Sequence, residues 1–182
     1  METSHLIWKE EKRREKYRSG VMSIWDIECR SPEGKMGTFS VMDCPGWVNV
    51  IPVVEGPNGK QFLMVRQWRH GSGEISVEFP GGILEAGEDP ETGAERELEE
   101  ETAYRATRLI KLGSVRPNPA IMSNMVHFYL AENLIPLKEQ NLDEDEFVDV
   151  LFLDEKEVIA NIGKAPYVHS LSAVALFFYQ NM

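Results

Sequence analysis

Apolar and polar positions alternate along this chain in short runs broken by turn residues. Residues 22–30 alternate, Ser31-Pro32-Glu33-Gly34 has turn chemistry, and alternation resumes over 36–42, which predicts two strands around a turn. Residues 5–18 show no clear period and are read as either a strand or a short helix. Cys44-Pro45-Gly46 marks a boundary, so an N-terminal β-module (1–45) is expected before a larger domain (46–182). Residues 48–54 and 61–68 then read as strands joined by the turn Gly56-Pro57-Asn58-Gly59. A short strand at 76–79 runs into Pro80-Gly81-Gly82. Asp89 as N-cap, Pro90 at the first helical position and Glu91 in the first turn predict a helix reaching about Thr102. Strands are expected at 108–115 and 125–130, flanking Arg116-Pro117-Asn118-Pro119, and again at 147–153. Asp154 and Glu157 have the spacing of a capping box, and 171–179 has helical apolar spacing. Strands followed by helices, with mostly antiparallel connections, indicate an α/β or α+β sandwich.

Composition narrows the function classes. The chain has 182 residues, 42% hydrophobic and 27% charged, which is the balance of a folded domain and not of a disordered segment. No apolar run approaches the ~18–20 residues needed to span a bilayer, and the N-terminal residues do not read as a secretory signal. Cys29 and Cys44 make no disulfide framework, and no Cys/His cluster has zinc spacing. A cytoplasmic protein with no membrane partner is the expectation. The formal net charge of −11 argues against a nucleic-acid binder. No GxGxxG or GxxxxGK[ST] motif is present.

The charge is concentrated. Residues 85–101 hold nine acids and one base, or −8, and residues 139–149 hold six acids and no base, or −6. Within the first block, Glu97, Glu100 and Glu101 fall on one helical face, with Leu98 pointing elsewhere. Like charges at this spacing destabilise a helix by roughly 0.2–0.5 kcal/mol per pair, and the macrodipole disfavours anions near its C-terminal end. A hard divalent cation would remove the conflict. From spacing alone, a cation site and a solvated acidic face both remain open.

The neighbouring residues narrow the choice. Gly82, five residues, Glu88, seven residues, then Arg96-Glu97-Leu98-x-Glu100-Glu101-x-Ala103-Tyr104 resembles the Nudix hydrolase signature, with Ala103 where that family usually has Gly. Val65-Arg66-Gln67-Trp68-Arg69, Glu78-Phe79-Pro80-Gly81-Gly82, Pro119 fifteen residues past Tyr104, and Glu146-Phe147-Val148-Asp149-Val150 are similar to the ADP-ribose pyrophosphatase-like branch. The resemblance runs from about residue 48 to the C-terminus and is weak before it. It implies a Nudix-type α/β/α sandwich with a mixed sheet, preceded by a small antiparallel β-module used in dimerisation and substrate contact.

The same resemblance implies roles. Glu97, Glu100, Glu101 and the Gly81 carbonyl would bind Mg²⁺, or Mn²⁺, and Glu88 with Arg96 would form an internal ion pair. Glu146 would be the general base, with Glu144 as the alternative in the same loop. Arg69, Ile83 and Asn118 would contact substrate, and Trp25 and Phe39 are candidates to stack on a base. A homodimer is implied, as is Mg²⁺-dependent hydrolysis of a nucleoside diphosphate sugar, foremost ADP-ribose to AMP and ribose 5-phosphate. The alternatives are a GDP- or UDP-sugar substrate, a catalytically silent Nudix-fold binding module, and a structural protein with an acidic helix. His70, His127 and His169 are isolated in the sequence and read as ordinary surface or core histidines.

Overall fold

The computed structural model describes residues 2–182. The chain forms two compact units: residues up to Pro45 with Arg116–Met125, and Gly46–Val115 with Val126–Met182.

In the first unit a 3-10 turn, Ser4–Leu6, precedes β1 (Lys9–Arg18), β2 (Ser23–Arg30) and β3 (Met36–Asp43). These form an antiparallel sheet in the order β1-β2-β3. The ambiguous segment is therefore mostly strand. All ten residues of β1 are exposed, so no buried face imposes a period of two on its sequence. Charge pairing decorates it instead, with Arg30 on Glu11 at 2.5 Å and Lys16 on Asp26 at 3.3 Å. The 116–125 segment is tied to β3, where Met42 N donates to Ile121 O at 2.7 Å and Ser123 N donates to Met42 O at 3.1 Å.

The second unit comprises β4 (Trp47–Gly56), β5 (Gly59–Arg69), β6 (Glu74–Glu78), α1 (Pro90–Thr102), β7 (Tyr104–Val115), β8 (Val126–Pro136), β9 (Val148–Asp154), α2 (Glu155–Asn161) and α3 (Ser170–Gln180). The sheet runs β6-β5-β4-β8-β7, with β9 also on β5; β4 and β8 are parallel and the other pairs antiparallel. Strands β4 and β8 are apolar on both faces because helices cover both sides. Val48 and Val50 of β4, with Tyr129 and Ala131 of β8, meet Ala94 and Leu98 of α1. On the other face Ile51, Phe62, Met64, Phe128 and Leu130 meet Val158 of α2 and Ala175 and Leu176 of α3. The result is the expected α/β/α sandwich around a mixed sheet.

Two local expectations change, and the end of α1 is settled. β7 begins at Tyr104, directly after α1, and β8 continues to Pro136, so both strands are longer than their apolar cores. There is no capping box at α2: Asp154 caps by position only, and its Oδ1 accepts from Gln61 Nε2 at 3.0 Å instead. At the end of α1, Ala103 takes the left-handed conformation, φ 58° and ψ 34°, and its N–H donates to Glu99 O. A Cβ in that conformation costs about 1 kcal/mol. Ala103→Gly is therefore expected to stabilise the protein by up to about 1 kcal/mol, measured by chemical denaturation, with activity unchanged.

Candidate active site

The site begins with a loop laid along β4. Val48 N donates to Gly82 O and Val50 N to Pro80 O, each at 2.9 Å, and Asn49 Nδ2 donates to Phe79 O at 3.1 Å. So close an approach leaves no room for side chains. A Cβ on Gly81, whose φ is +153°, would land on the Val48 carbonyl oxygen. A Cβ on Gly82 would lie 2.5 Å from the Glu97 carboxylate. On its other side the loop meets α1, where Gly81 N donates to Glu101 Oε2 at 2.8 Å.

Arg96 is the hub of the helix. Its Nε and Nη2 donate to the two oxygens of Glu88 at 2.9 and 3.0 Å, and its Nη1 donates to Glu97 and Glu100 at 2.9 Å each. Nη2 also reaches Ile83 O at 3.0 Å, which fastens the loop to the helix. The Arg96 guanidinium beside Glu88 holds that carboxyl below its ordinary range. The other two carboxylates behave oppositely. Burial pushes Glu97 up to about 7 and Glu101 up to about 8, despite Arg96 beside the first and the Gly81 N–H on the second. Loss of solvation is the main cause, and the charge of Glu146 adds to it at both.

Among the described residues, no three His, Cys, Asp or Glu side chains converge closely enough to hold a metal ion by themselves. Glu97 and Glu100 are turned to Arg96, and Glu101 to Gly81. The donor set still fits a hard divalent cation: poorly solvated carboxylate oxygens beside a glycine loop, able to share the ion with phosphate oxygens and water.

The second acidic segment is fastened to the first. Leu137 N donates to Ala103 O at 2.7 Å, Asn141 N to Glu100 O at 3.0 Å, and Gln140 Nε2 to Glu101 O. The loop thus satisfies carbonyls that the end of α1 would leave orphaned. Glu146 folds back within it: its N–H donates to Asp143 O at 3.0 Å, and its Oε2 accepts from Asp143 N at 3.2 Å. Its charge contributes to the upward shifts of both Glu97 and Glu101. Glu144 lies exposed in the same loop.

Beside the glycine loop opens a cavity of about 600 Å³. Trp47, Phe79, Val168 and Leu171 give it apolar walls, and Arg69, Gly81, Gly82, Ile83 and His169 also line it. Of the residues expected to contact substrate, Arg69 and Ile83 are here; Asn118 belongs to the first unit, exposed, with its carbonyl accepting from Met122 N at 2.8 Å. Also in that unit, Trp25 has the Arg13 guanidinium 5.6 Å from its ring centroid, and Phe39 packs edge-to-face on Trp8. His127 is paired with Ser114 at 2.8 Å. His169 is not isolated: its Nδ1 lies 3.2 Å from the buried Glu78 carboxylate.

Sequence reasoning passed over Asn49, Glu78, Gln140 and Ser172. Asn49 had a signal, as the one polar residue in Val48-Asn49-Val50-Ile51. The Ser172 hydroxyl, which accepts from Phe79 N at 3.3 Å, had none.

Comparison with known proteins agrees with this geometry. The profile described as NUDIX domain matches residues 47–171. This chain belongs to the Nudix family. The match starts where the second unit starts and spans the glycine loop, the α1 carboxylates and the acidic loop. Relatives include an ADP-ribose pyrophosphatase of Bacillus subtilis (strain 168), 36% identical over 161 residues, covering 88% of this chain and 85% of that protein. A protein of Bacillus methanolicus named methanol dehydrogenase activator is 35% identical, covering 87% and 84%. An ADP-sugar pyrophosphatase of Mus musculus is 30% identical, covering 63% of this chain and 56% of that protein. The Nudix fold also appears in a crystal structure of an ADP compounds hydrolase, which superposes with a TM-score of 0.82 over 95% of this chain and 93% of that one, at 20% identity.

Proposed function

We propose that this protein is a Nudix pyrophosphohydrolase that cleaves the diphosphate of a nucleoside diphosphate sugar, with ADP-ribose as its substrate and AMP and ribose 5-phosphate as products. The observation that carries this reading is the junction of the glycine loop with α1, where Glu101 meets the Gly81 N–H and Glu97 lies against Gly82. The named activities of the Bacillus subtilis and mouse relatives point to the same substrate class.

Glu97, Glu100, Glu101 and the Gly81 carbonyl would hold a divalent cation, Mg²⁺ being our choice. Bound there, the ion would supply charge neutralisation to the diphosphate and acidity to a water. The protein's own part is to hold these oxygens in a dry, shaped site. Glu146 is favoured over Glu144 as the general base because its charge is felt at both Glu97 and Glu101. Arg69 supplies donors for phosphate oxygens at the cavity. We assign the N-terminal module, 1–45, to dimerisation and substrate contact, with Asn118 on the substrate side and Trp25 or Phe39 as stacking candidates. The protein then works as a homodimer.

The test is a hydrolysis panel of ADP-ribose and GDP- and UDP-sugars with and without Mg²⁺, following release of the nucleoside monophosphate. AMP from ADP-ribose only with the metal is the expected result, and no cleavage of any diphosphate sugar would sink the reading. The Bacillus methanolicus relative motivates a second reading, stimulation of an alcohol dehydrogenase. It gains support if added protein raises such an enzyme's rate while the panel stays silent.

A further inference from the structure

Two acids are buried among the described residues, Glu101 and Glu78, and the chemistry above uses only the first. Glu78 closes β6 opposite Val65, and Arg69 closes β5 opposite Glu74. Positions 65, 67 and 69 share one face of β5, so the Arg69 side chain runs back along that face to reach Glu78. Its Nε donates to Glu78 Oε1 at 2.6 Å, and its Nη2 lies 2.5 Å from the same oxygen. Glu78 is fully buried, while the Arg69 side chain is 39% exposed and lines the cavity. The guanidinium is therefore gripped along one edge. The opposite edge, Nη1 and the second N–H of Nη2, is left as a two-point fork of the kind that matches phosphate oxygens. His169, just before α3, covers the other oxygen: Nδ1 and Oε2 are 3.2 Å apart, both buried and neither with a hydrogen-bond partner.

We propose that Glu78, covered by His169, is a positioning residue that fixes the Arg69 guanidinium edge-on so that its free fork meets a phosphate of the substrate in the cavity. The proposal rests on the diphosphate-hydrolase reading given above. It makes a prediction of unusual sign. Electrostatics alone says that removing an anion beside the site strengthens binding of an anionic substrate. Positioning says that removal weakens it, because a freed arginine must be re-ordered on binding.

The experiment is a double-mutant cycle with Glu78→Gln and Arg69→Gln, read as separate KM and kcat values for ADP-ribose with Mg²⁺. Glu78→Gln is expected to raise KM about tenfold, the scale of one charge-assisted hydrogen bond, with kcat within about twofold of wild type. In the Arg69→Gln background the same change should add nothing to KM. A KM that is unchanged or lower in Glu78→Gln, or a full additive effect in the double variant, overturns the proposal. If Glu78→Gln unfolds, Glu78→Met takes its place in the cycle, since it leaves no buried polar group unpaired. Wild-type turnover is measured first. If wild type binds ADP-ribose without cleaving it, the hydrolase reading fails and calorimetric Kd values replace KM in the same cycle. If it does neither, both fall.

Discussion

Replacing Glu101 by Gln is expected to lower kcat for ADP-ribose by about a hundred- to a thousandfold, equivalent to about 3–4 kcal/mol of lost transition-state stabilisation. The same change should flatten the pH dependence of stability in the metal-free protein. Burial places the folded Glu101 carboxyl at about 8 and that of Glu97 at about 7, against an ordinary value of 4.5. Both groups hold a proton more tightly folded than unfolded. Their contribution to stability is thus fully present below about pH 4.5 and is lost as pH rises through 7 and 8. Gln cannot ionise, so the variant keeps only the Glu97 part of that fall. A divalent cation should suppress the fall in wild type and do so less in the variant. Thermal melts from pH 4 to 9, with and without Mg²⁺, check the stability half; steady-state kinetics check the rate. Wild-type rates in Glu101→Gln, or melts that rise with pH, would count against the site.

Gly81→Ala should damage both fold and function. The added methyl meets the Val48 carbonyl oxygen, which is backbone in the middle of the sheet and cannot yield cheaply. Overpacking and the unfavourable φ together are expected to cost about 2–4 kcal/mol. Displacing the loop also withdraws the N–H from Glu101 and the carbonyl proposed to face a cation. Gly82→Ala is the instructive contrast. Its methyl meets a side chain, Glu97, which can move, so the melting temperature should fall less while kcat still drops sharply. Urea melts and kinetics on both variants test this, and equal stability losses would contradict the geometry.

How much of this was legible in the sequence depended on burial. Where a face is covered, the pattern named the element: β4 and β8 were readable from Val48, Val50, Val126 and Phe128, while α1 was readable from its start signals at Asp89, Pro90 and Glu91. β1 was not, because no residue in it is buried. The carboxylates of α1 were legible because a helix fixes their spacing within four residues of chain. The Glu78–Arg69–His169 cluster was hidden for the opposite reason. Its members come from β6, β5 and the start of α3, and nothing local links residue 78 to residue 169. Gln140 was hidden likewise, since its partner is a backbone carbonyl of α1 and any residue could have supplied it.

The parallel pairing of β4 with β8 bears on the order of assembly. Val48 pairs with His127 across most of the unit's sequence, and the whole glycine loop and α1 lie inside that crossover. Loop 79–82 takes its shape from β4, α1 packs on β4 and β8 together, and the acidic loop docks on α1 only after β8 has ended. The oxygens proposed to hold a cation have no local hairpin to gather them early. They come together only once this pairing, 79 residues apart in sequence, is made. A metal ion added during refolding should therefore leave the folding rate unchanged and slow unfolding.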